Sequence, residues 1–200
     1  MDVSLILSHI GAFCIFALKC VYTTIPAIGA NVAPVLGKNL PILRYPMDFG
    51  LTFKGERILG DHKTFRGLFC GIVFTLILIY LQYIIYWLTG FDATLYGFEN
   101  VDLFYGSHKV NLLLLGFLMG LGVIMGDAVK SLFKRRLHIP SGHSFIPWDQ
   151  IDGALGGLVF GWFAWHYDLS YALVIIFLTF FLHITIRHFA FYIGVCDSRW

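Results

Sequence analysis

The chain is short of charge, of paired cysteines and of soluble-enzyme signatures, and each shortage excludes something. Only 13% of its 200 residues are charged, against 58% hydrophobic, and the mean hydropathy is +0.76. A water-soluble domain of this size needs a wetter surface, so the composition is that of an integral membrane protein. The four cysteines (Cys14, Cys20, Cys70 and Cys196) make no CxxC pair and no metal-like spacing. They are expected to be reduced packing residues. The histidines supply no zinc set: His138 and His143 stand five apart, as do His183 and His188. The opening MDVSLIL has neither a basic n-region nor a small-residue cleavage site, so the first apolar run is expected to remain as a helix. No internal repeat or low-complexity linker breaks the sequence, which favours one domain over residues 1–200.

Long uncharged runs alternate with short charged segments. The pattern predicts an all-α protein with about five membrane helices, near Val3–Thr24, Gly67–Thr89, Val110–Lys130, Ile151–Tyr167 and Ser170–Ile193. The fourth is short and rich in glycine. Basic residues gather after helix 1 (Lys38, Arg44, Lys54, Arg57, Lys63 and Arg66) and after helix 3 (Lys130, Lys134, Arg135 and Arg136). The segment after helix 2 has three acids and only Lys109 as a base, and the tail holds Arg187 and Arg199. This asymmetry predicts an outside N-terminus, a cytoplasmic C-terminus and two charged cytoplasmic loops. Gly116, Gly120, Gly122 and Gly126 in helix 3, and Gly153, Gly157 and Gly161 in helix 4, predict close helix packing. Such rows suit a seam between helices 3 and 4, or a homodimer contact.

The densest chemistry lies in GDAVKSLFKRR (Gly126–Arg136) and SGHSFIPWDQIDG (Ser141–Gly153). Asp127, Lys130 and Lys134 fall at i, i+3 and i+7 on one face of the end of helix 3. Asp149 and Asp152 share a face at the start of helix 4. The short connection between the two helices makes these faces neighbours. Acids at a helix start also have a plain electrostatic role, since the macrodipole favours them there. That account fails for Asp127, which sits at the unfavourable end of its helix, and ionisable residues at membrane depth generally mark function. Converging carboxylates at an aqueous mouth suit a hard cation such as Mg²⁺, with phosphate oxygens as further ligands. Lys130, Lys134 and Arg135 would then hold phosphates.

Asn31–Arg66 is the second charged segment. NVAPVLGKNLPILRYPMDFG is expected as ordered loop because of its proline and glycine, and LTFKGERILG as a small hairpin turning at Lys54 and Gly55. GDHKTFRG is not a P-loop. It does set Asp61, Lys63, Thr64 and Arg66 beside a helix N-terminus, a suitable place for an anion. A plain basic juxtamembrane segment fits that loop equally well. Lys19 is expected to snorkel to the cytoplasmic surface.

PAIGANVAPVLG, YPMDFG, GERILGDHKTFRG, GDAVKSLFKRR and IPSGHSFIPWDQIDG together resemble the CDP-diacylglycerol synthase-like membrane cytidylyltransferases, in their archaeal branch of CDP-archaeol synthases. The wider superfamily signature, S-x-x-K-R followed by D-R-x-D, reads here Ser131-Leu-Phe-Lys134-Arg135 and Asp149-Gln-Ile-Asp152. The Lys-Asp pair and His-Gly-Gly of the bacterial and eukaryotic pattern are replaced by PSGHS and FIP, which favours the archaeal branch. The resemblance implies CTP and an unsaturated archaetidic acid, an isoprenoid ether-lipid phosphate, as substrates in the cell membrane. CDP-archaeol and pyrophosphate would be the products, with Mg²⁺ as cofactor and no nucleic acid involved. It implies Asp127, Asp149 and Asp152 as metal ligands, Asp127, Lys130, Lys134 and Asp152 as the catalytic set, and Ser131, Arg135 and Ser144 beside the substrates. Asn31 and Asp48 are added on the resemblance alone. A CDP-diacylglycerol synthase, a CTP-dependent polyprenol kinase and an anion transporter remain open as alternatives. The gathering of the acids at one face counts against a transporter, whose charges belong near mid-bilayer.

Overall fold

The computed structural model describes residues 3–60, 62–102, 110–140 and 143–194. Its described residues form five α-helices: α1 (Val3–Leu36), α2 (Phe65–Thr89), α3 (Leu112–Arg136), α4 (Trp148–Gly161) and α5 (Leu169–Tyr192). Helices α1, α2, α3 and α5 are long and apolar enough to cross a membrane. Helix α4 has 14 residues, about 21 Å of rise, short of a hydrocarbon core of about 30 Å. The protein is thus an all-α multi-pass membrane protein with four helices of spanning length and one shorter inner helix.

The first helix departs from expectation. It runs twelve residues past Thr24, through Pro26 and Pro34, so Asn31 lies on helix rather than loop. Proline lacks the N–H that would bond the carbonyl four residues back. Neighbouring α2 makes good that loss, because Gln82 Nε2 donates to the Tyr22 carbonyl at 2.8 Å. The Thr75 hydroxyl bonds the Pro26 carbonyl at 3.3 Å, and both side chains are buried. Satisfied in this way, a proline-bearing helix can continue in a low-dielectric setting.

Capping explains the other boundaries. Thr64 accepts the Gly67 N–H at the start of α2, and Gly90, at φ 71°, closes its end. Asn111 accepts the Leu114 N–H, so α3 begins at Leu112 rather than Val110, and it extends through Arg136. Residues Val110 and Asn111 instead form a short strand, β4, parallel to β3 (Val101–Asp102). Phe145 and Pro147 carbonyls bond the Asp149 and Gln150 amides, which starts α4 at Trp148, three residues earlier than expected. It also ends earlier, at Gly161.

Helix α3 is central. Half of its most apolar window is buried, against 6% for α1 and α5. Its four glycines form two rows rather than one. Gly116 and Gly120 face α2, where an added Cβ would lie 2.8 Å from Leu76 Cδ2 and from Ile72 Cα respectively. Gly122 and Gly126 face α4: a Cβ would lie 2.2 Å from the Gly156 carbonyl oxygen and 2.3 Å from that of Asp152. The tightest contact on α4 is thus at Gly156, outside the expected Gly153–Gly157–Gly161 row. Away from the charged end, Tyr96, Phe98, Leu112, Leu115 and Val123 belong to one buried cluster.

Candidate active site

The close α3–α4 seam brings the charged ends of the two helices together. Lys130 Nζ lies 3.1 Å from Asp127 Oδ1, 3.0 Å from Asp149 Oδ1 and 2.7 Å from Asp152 Oδ2. Three carboxylates from two helices therefore share one ammonium. Asp127 has a second partner, Lys63 from the loop before α2. Asp149 has two: Lys134 Nζ at 3.4 Å and the Phe145 N–H at 2.6 Å. Asp152 gains only the N–H of Gly153, at 2.7 Å. It is the acid least provided for.

Three cavities meet at Lys130, and each receives one of the acids. A polar cavity of about 540 Å³ is lined by Arg57, His62, Lys63, Asp127, Ser131 and Arg135, with Lys130 and Lys134 on its wall. A smaller polar cavity of about 240 Å³ holds Lys130, Lys134, Asp149, Ser144, His183 and Arg187. The third is an apolar groove of about 550 Å³ between α3 and α4, ending at Lys130 and Asp152. Phosphates, a hard cation and a lipid tail each find suitable surroundings within one side chain's reach.

The loop between α1 and α2 is fastened so that Lys63 meets Asp127. Met47 N–H donates to the Lys63 carbonyl at 2.8 Å, and the Phe65 and Arg66 amides bond the Tyr45 and Leu43 carbonyls. The expected hairpin is present, with Thr52–Phe53 (β1) paired antiparallel to Glu56–Arg57 (β2). Asp48 anchors it by accepting Arg57 Nη2 at 2.6 Å and the amides of Gly50 and Leu59 at 3.1 and 3.0 Å. Burial opposes the ionised form of Asp48, but the Arg57 guanidinium and the two amides prevail and hold the carboxyl below its ordinary range.

The remaining predicted residues are dispersed. Thr64 accepts at the α2 cap, with its hydroxyl hydrogen left over. Arg66 donates to the Leu40 carbonyl at 3.0 Å. The Asn31 side chain packs where a Cβ on Gly153 would be, one residue from Asp152. Asp61 lies outside the described residues. Arg57, His62, His183 and Arg187 line the polar cavities although the charge pattern marked none of them as a ligand.

Among the described residues no three His, Cys, Asp or Glu side chains are disposed to hold a metal ion by themselves. Asp127, Asp149 and Asp152 converge, but on an ammonium. Their donors are hard oxygens throughout, the chemistry Mg²⁺ takes together with substrate phosphates. The residues fit such an ion in donor type.

Comparison with known proteins identifies a family. The family described as CarS-like, CDP-archaeol synthase, matches residues 13–200. A CDP-archaeol synthase of Methanosarcina mazei is 34% identical over 188 residues, covering 88% of this chain and 99% of that protein. One from Methanocaldococcus jannaschii is 32% identical over 178 residues, covering 88% and 93%. A solved structure described as an intramembrane enzyme for archaeal membrane lipids biosynthesis superposes with a TM-score of 0.62 at 26% identity, covering 84% of this chain and 92% of that one. With three acids and their lysines at the mouth of an all-α membrane fold, and with this breadth of likeness, the chain belongs to the CDP-archaeol synthase family of nucleotidyltransferases.

Proposed function

We propose that the protein transfers CMP from CTP to unsaturated archaetidic acid, releasing pyrophosphate and forming CDP-archaeol in the cell membrane. An oxygen of the lipid phosphate forms a bond to the α-phosphorus of CTP. The bond from that phosphorus to the bridging oxygen breaks, and its electron pair leaves with pyrophosphate. The attacking oxygen is already anionic, so no side chain need remove a proton. The obstacle is repulsion between a phosphate and a triphosphate, which calls for positioned cations rather than a base. Lys130, Lys134, Lys63 and Arg135 supply them, with Ser131 and Ser144 as hydroxyl donors. Thr64 and Arg66 stand at the nucleotide entrance. Asn31 steadies the start of α4, and Asp48 fixes the hairpin that carries Arg57. Asp127, Asp149 and Asp152 would hold Mg²⁺, which when bound neutralises phosphate charge at the transferring group.

The basic segments after α1 and α3 support a cytoplasmic position for that end of the bundle and for the C-terminus, on the side where CTP is found. The N-terminus then lies outside, five helices are membrane-embedded, and residues 1–200 act as one domain. The observation carrying this reading is the convergence of Asp127, Asp149 and Asp152 on Lys130 at the meeting point of two polar cavities and an apolar groove. The test is purified protein with CTP, Mg²⁺ and either an ether or an ester lipid phosphate. Metal-dependent pyrophosphate release with preference for the ether lipid is expected. Absence of metal-dependent release with either lipid phosphate would sink the transferase reading, and preference for the ester would move the protein to the diacyl substrate.

A further inference from the structure

Helix α5 looks like a plain lipid-facing span, apolar along most of its length. One face differs. Ile175, Thr179, His183 and Arg187 follow one another at intervals of four and so lie along a single stripe. Ile175 is buried, and with Thr179 it lines a narrow crevice walled by Ala27, Asn31 and Gly157. His183 and Arg187, one and two turns further, line the 240 Å³ polar cavity with Lys130, Lys134, Ser144 and Asp149. His183 lies within electrostatic reach of Arg187, Asp149 and Lys130, and its Nδ1 is buried without a hydrogen-bond partner.

We propose that this cavity is the seat of the lipid acceptor's phosphomonoester, with Arg187 and His183 as its contacts from α5. The inference rests on the cytidylyltransferase reading and adds the residues that recognise the acceptor. Size separates the two polar cavities. The one beside Lys63 has about 540 Å³, within the roughly 300–1,000 Å³ of pockets that enclose a whole ligand. The one beside Arg187 has about 240 Å³, enough for a headgroup and too little for a nucleotide. Charge agrees. Lys134 and Arg187 face one carboxylate there, Asp149, while Lys130 on the same wall is divided among Asp127, Asp149 and Asp152. Phosphate chemistry alone would equally suit free pyrophosphate. The α3–α4 groove of about 550 Å³ favours a lipid, because Lys130 stands on both that apolar groove and this polar cavity, so a tail in one and a phosphate in the other meet there, as an amphiphile requires. Lys130 and Lys134 stand on both polar cavities, so a phosphate in each would meet across them.

The experiment compares wild type with Arg187→Gln, Arg187→Lys and His183→Gln. Steady-state pyrophosphate release gives KM for lipid and for CTP. Native mass spectrometry without CTP measures binding of a dialkylglycerol phosphate against the same lipid as its free alcohol. Arg187→Gln should raise the lipid KM about tenfold, the loss of one charge-assisted phosphate contact, and leave that for CTP within about twofold. Arg187→Lys should recover most of the loss, and the binding preference for phosphate over alcohol should fall in parallel. His183→Gln should show the same pattern in smaller degree, and it carries the comparison if Arg187→Gln does not fold. A raised CTP KM with unchanged lipid KM would overturn the assignment. So would weakened pyrophosphate inhibition with unchanged lipid KM, which would give the cavity to the leaving group. If wild type does not turn over yet prefers the phosphate lipid, and Arg187→Gln abolishes that preference, the headgroup seat stands and the reaction reading falls.

Discussion

Asp48 is a buried carboxylate and Asp152 a largely buried one, both near the charged end of the bundle, and they are treated differently. Asp48 has an arginine of its own and two backbone amides. Its oxygens are satisfied within one hairpin, and nothing is left over for a ligand. Asp152 shares Lys130 with two other acids and adds only its neighbour's amide. A buried carboxylate is costly to leave underprovided, and a fold tolerates such an arrangement where a ligand completes it. Lys130 satisfies three acids partially, so a metal or phosphate entering there displaces or shares contacts instead of opening a closed pair. On the proposed reading, the difference separates an acid that builds the site from one that works in it.

The largest effect should come from Asp152. Asp152→Asn keeps the volume but removes the charge facing Lys130 and one of the two acceptor oxygens. Turnover should fall by at least about 1,000-fold while the protein still elutes as a folded species in detergent. Near-normal pyrophosphate release from this variant would remove Asp152 from the metal set and erase the contrast with Asp48.

Next comes the seam that sets the spacing of the acids. A Cβ at Gly126 would stand 2.3 Å from the Asp152 carbonyl oxygen, which is backbone and cannot rotate away. Gly126→Ala must push α3 and α4 apart next to Asp127. A displacement of about 1 Å at a reacting centre can cost about 100-fold in rate. The loss should be partly recovered at high Mg²⁺, because the ligands remain and only their separation has changed. A rate unaffected by the substitution, or a deficit insensitive to Mg²⁺, would show that seam spacing does not set the metal site.

Much of this was readable in the residues. The i, i+3, i+7 spacing of Asp127, Lys130 and Lys134 and the i, i+3 spacing of Asp149 and Asp152 fix helix faces, and a short connection makes those faces neighbours. Three features were hidden. The run through Pro26 depends on Gln82, 60 residues from Tyr22, to satisfy the carbonyl that this proline frees. Lys130 stands at the focus of the acids rather than beside them, which spacing along one helix cannot reveal. His183 and Arg187 sit in a helix whose apolar composition masks them, and comparing the two histidines, His183 and His188, looked past the i, i+4 pair that His183 makes with Arg187. A polar pair at that interval near the charged end of a span was the available signal.

Asp48 gives the structural side of the comparison its own test. Asp48→Asn removes the charge from the bond that Asp48 makes with Arg57 and should lower stability by about 2 kcal/mol near neutrality. The carboxyl is held below its ordinary value in the fold, so its contribution is fully present above about pH 4 and disappears as pH falls through the lowered value. The melting-temperature gap between wild type and Asp48→Asn in detergent should therefore be wide at about pH 7 and close progressively below about pH 4. A gap that stayed open in acid would mean that shape rather than charge makes Asp48 important.

The smallest expected effect falls on Thr64, where building and working coincide. Its oxygen caps α2 by accepting the Gly67 N–H at 3.2 Å, and its hydroxyl hydrogen remains for a phosphate. Thr64→Ala removes both functions, so it should cost about 1 kcal/mol of stability and cannot tell them apart. Aspartate is as good a cap as threonine or better, but it carries a charge that repels a triphosphate. Thr64→Asp should therefore melt with wild type while its KM for CTP rises about threefold, the scale of a partly exposed charge interaction. Added salt should shrink that rise, since screening weakens exposed electrostatics. A stable Thr64→Asp with unchanged CTP KM would assign Thr64 to the cap alone, and the nucleotide entrance would then begin at Lys63.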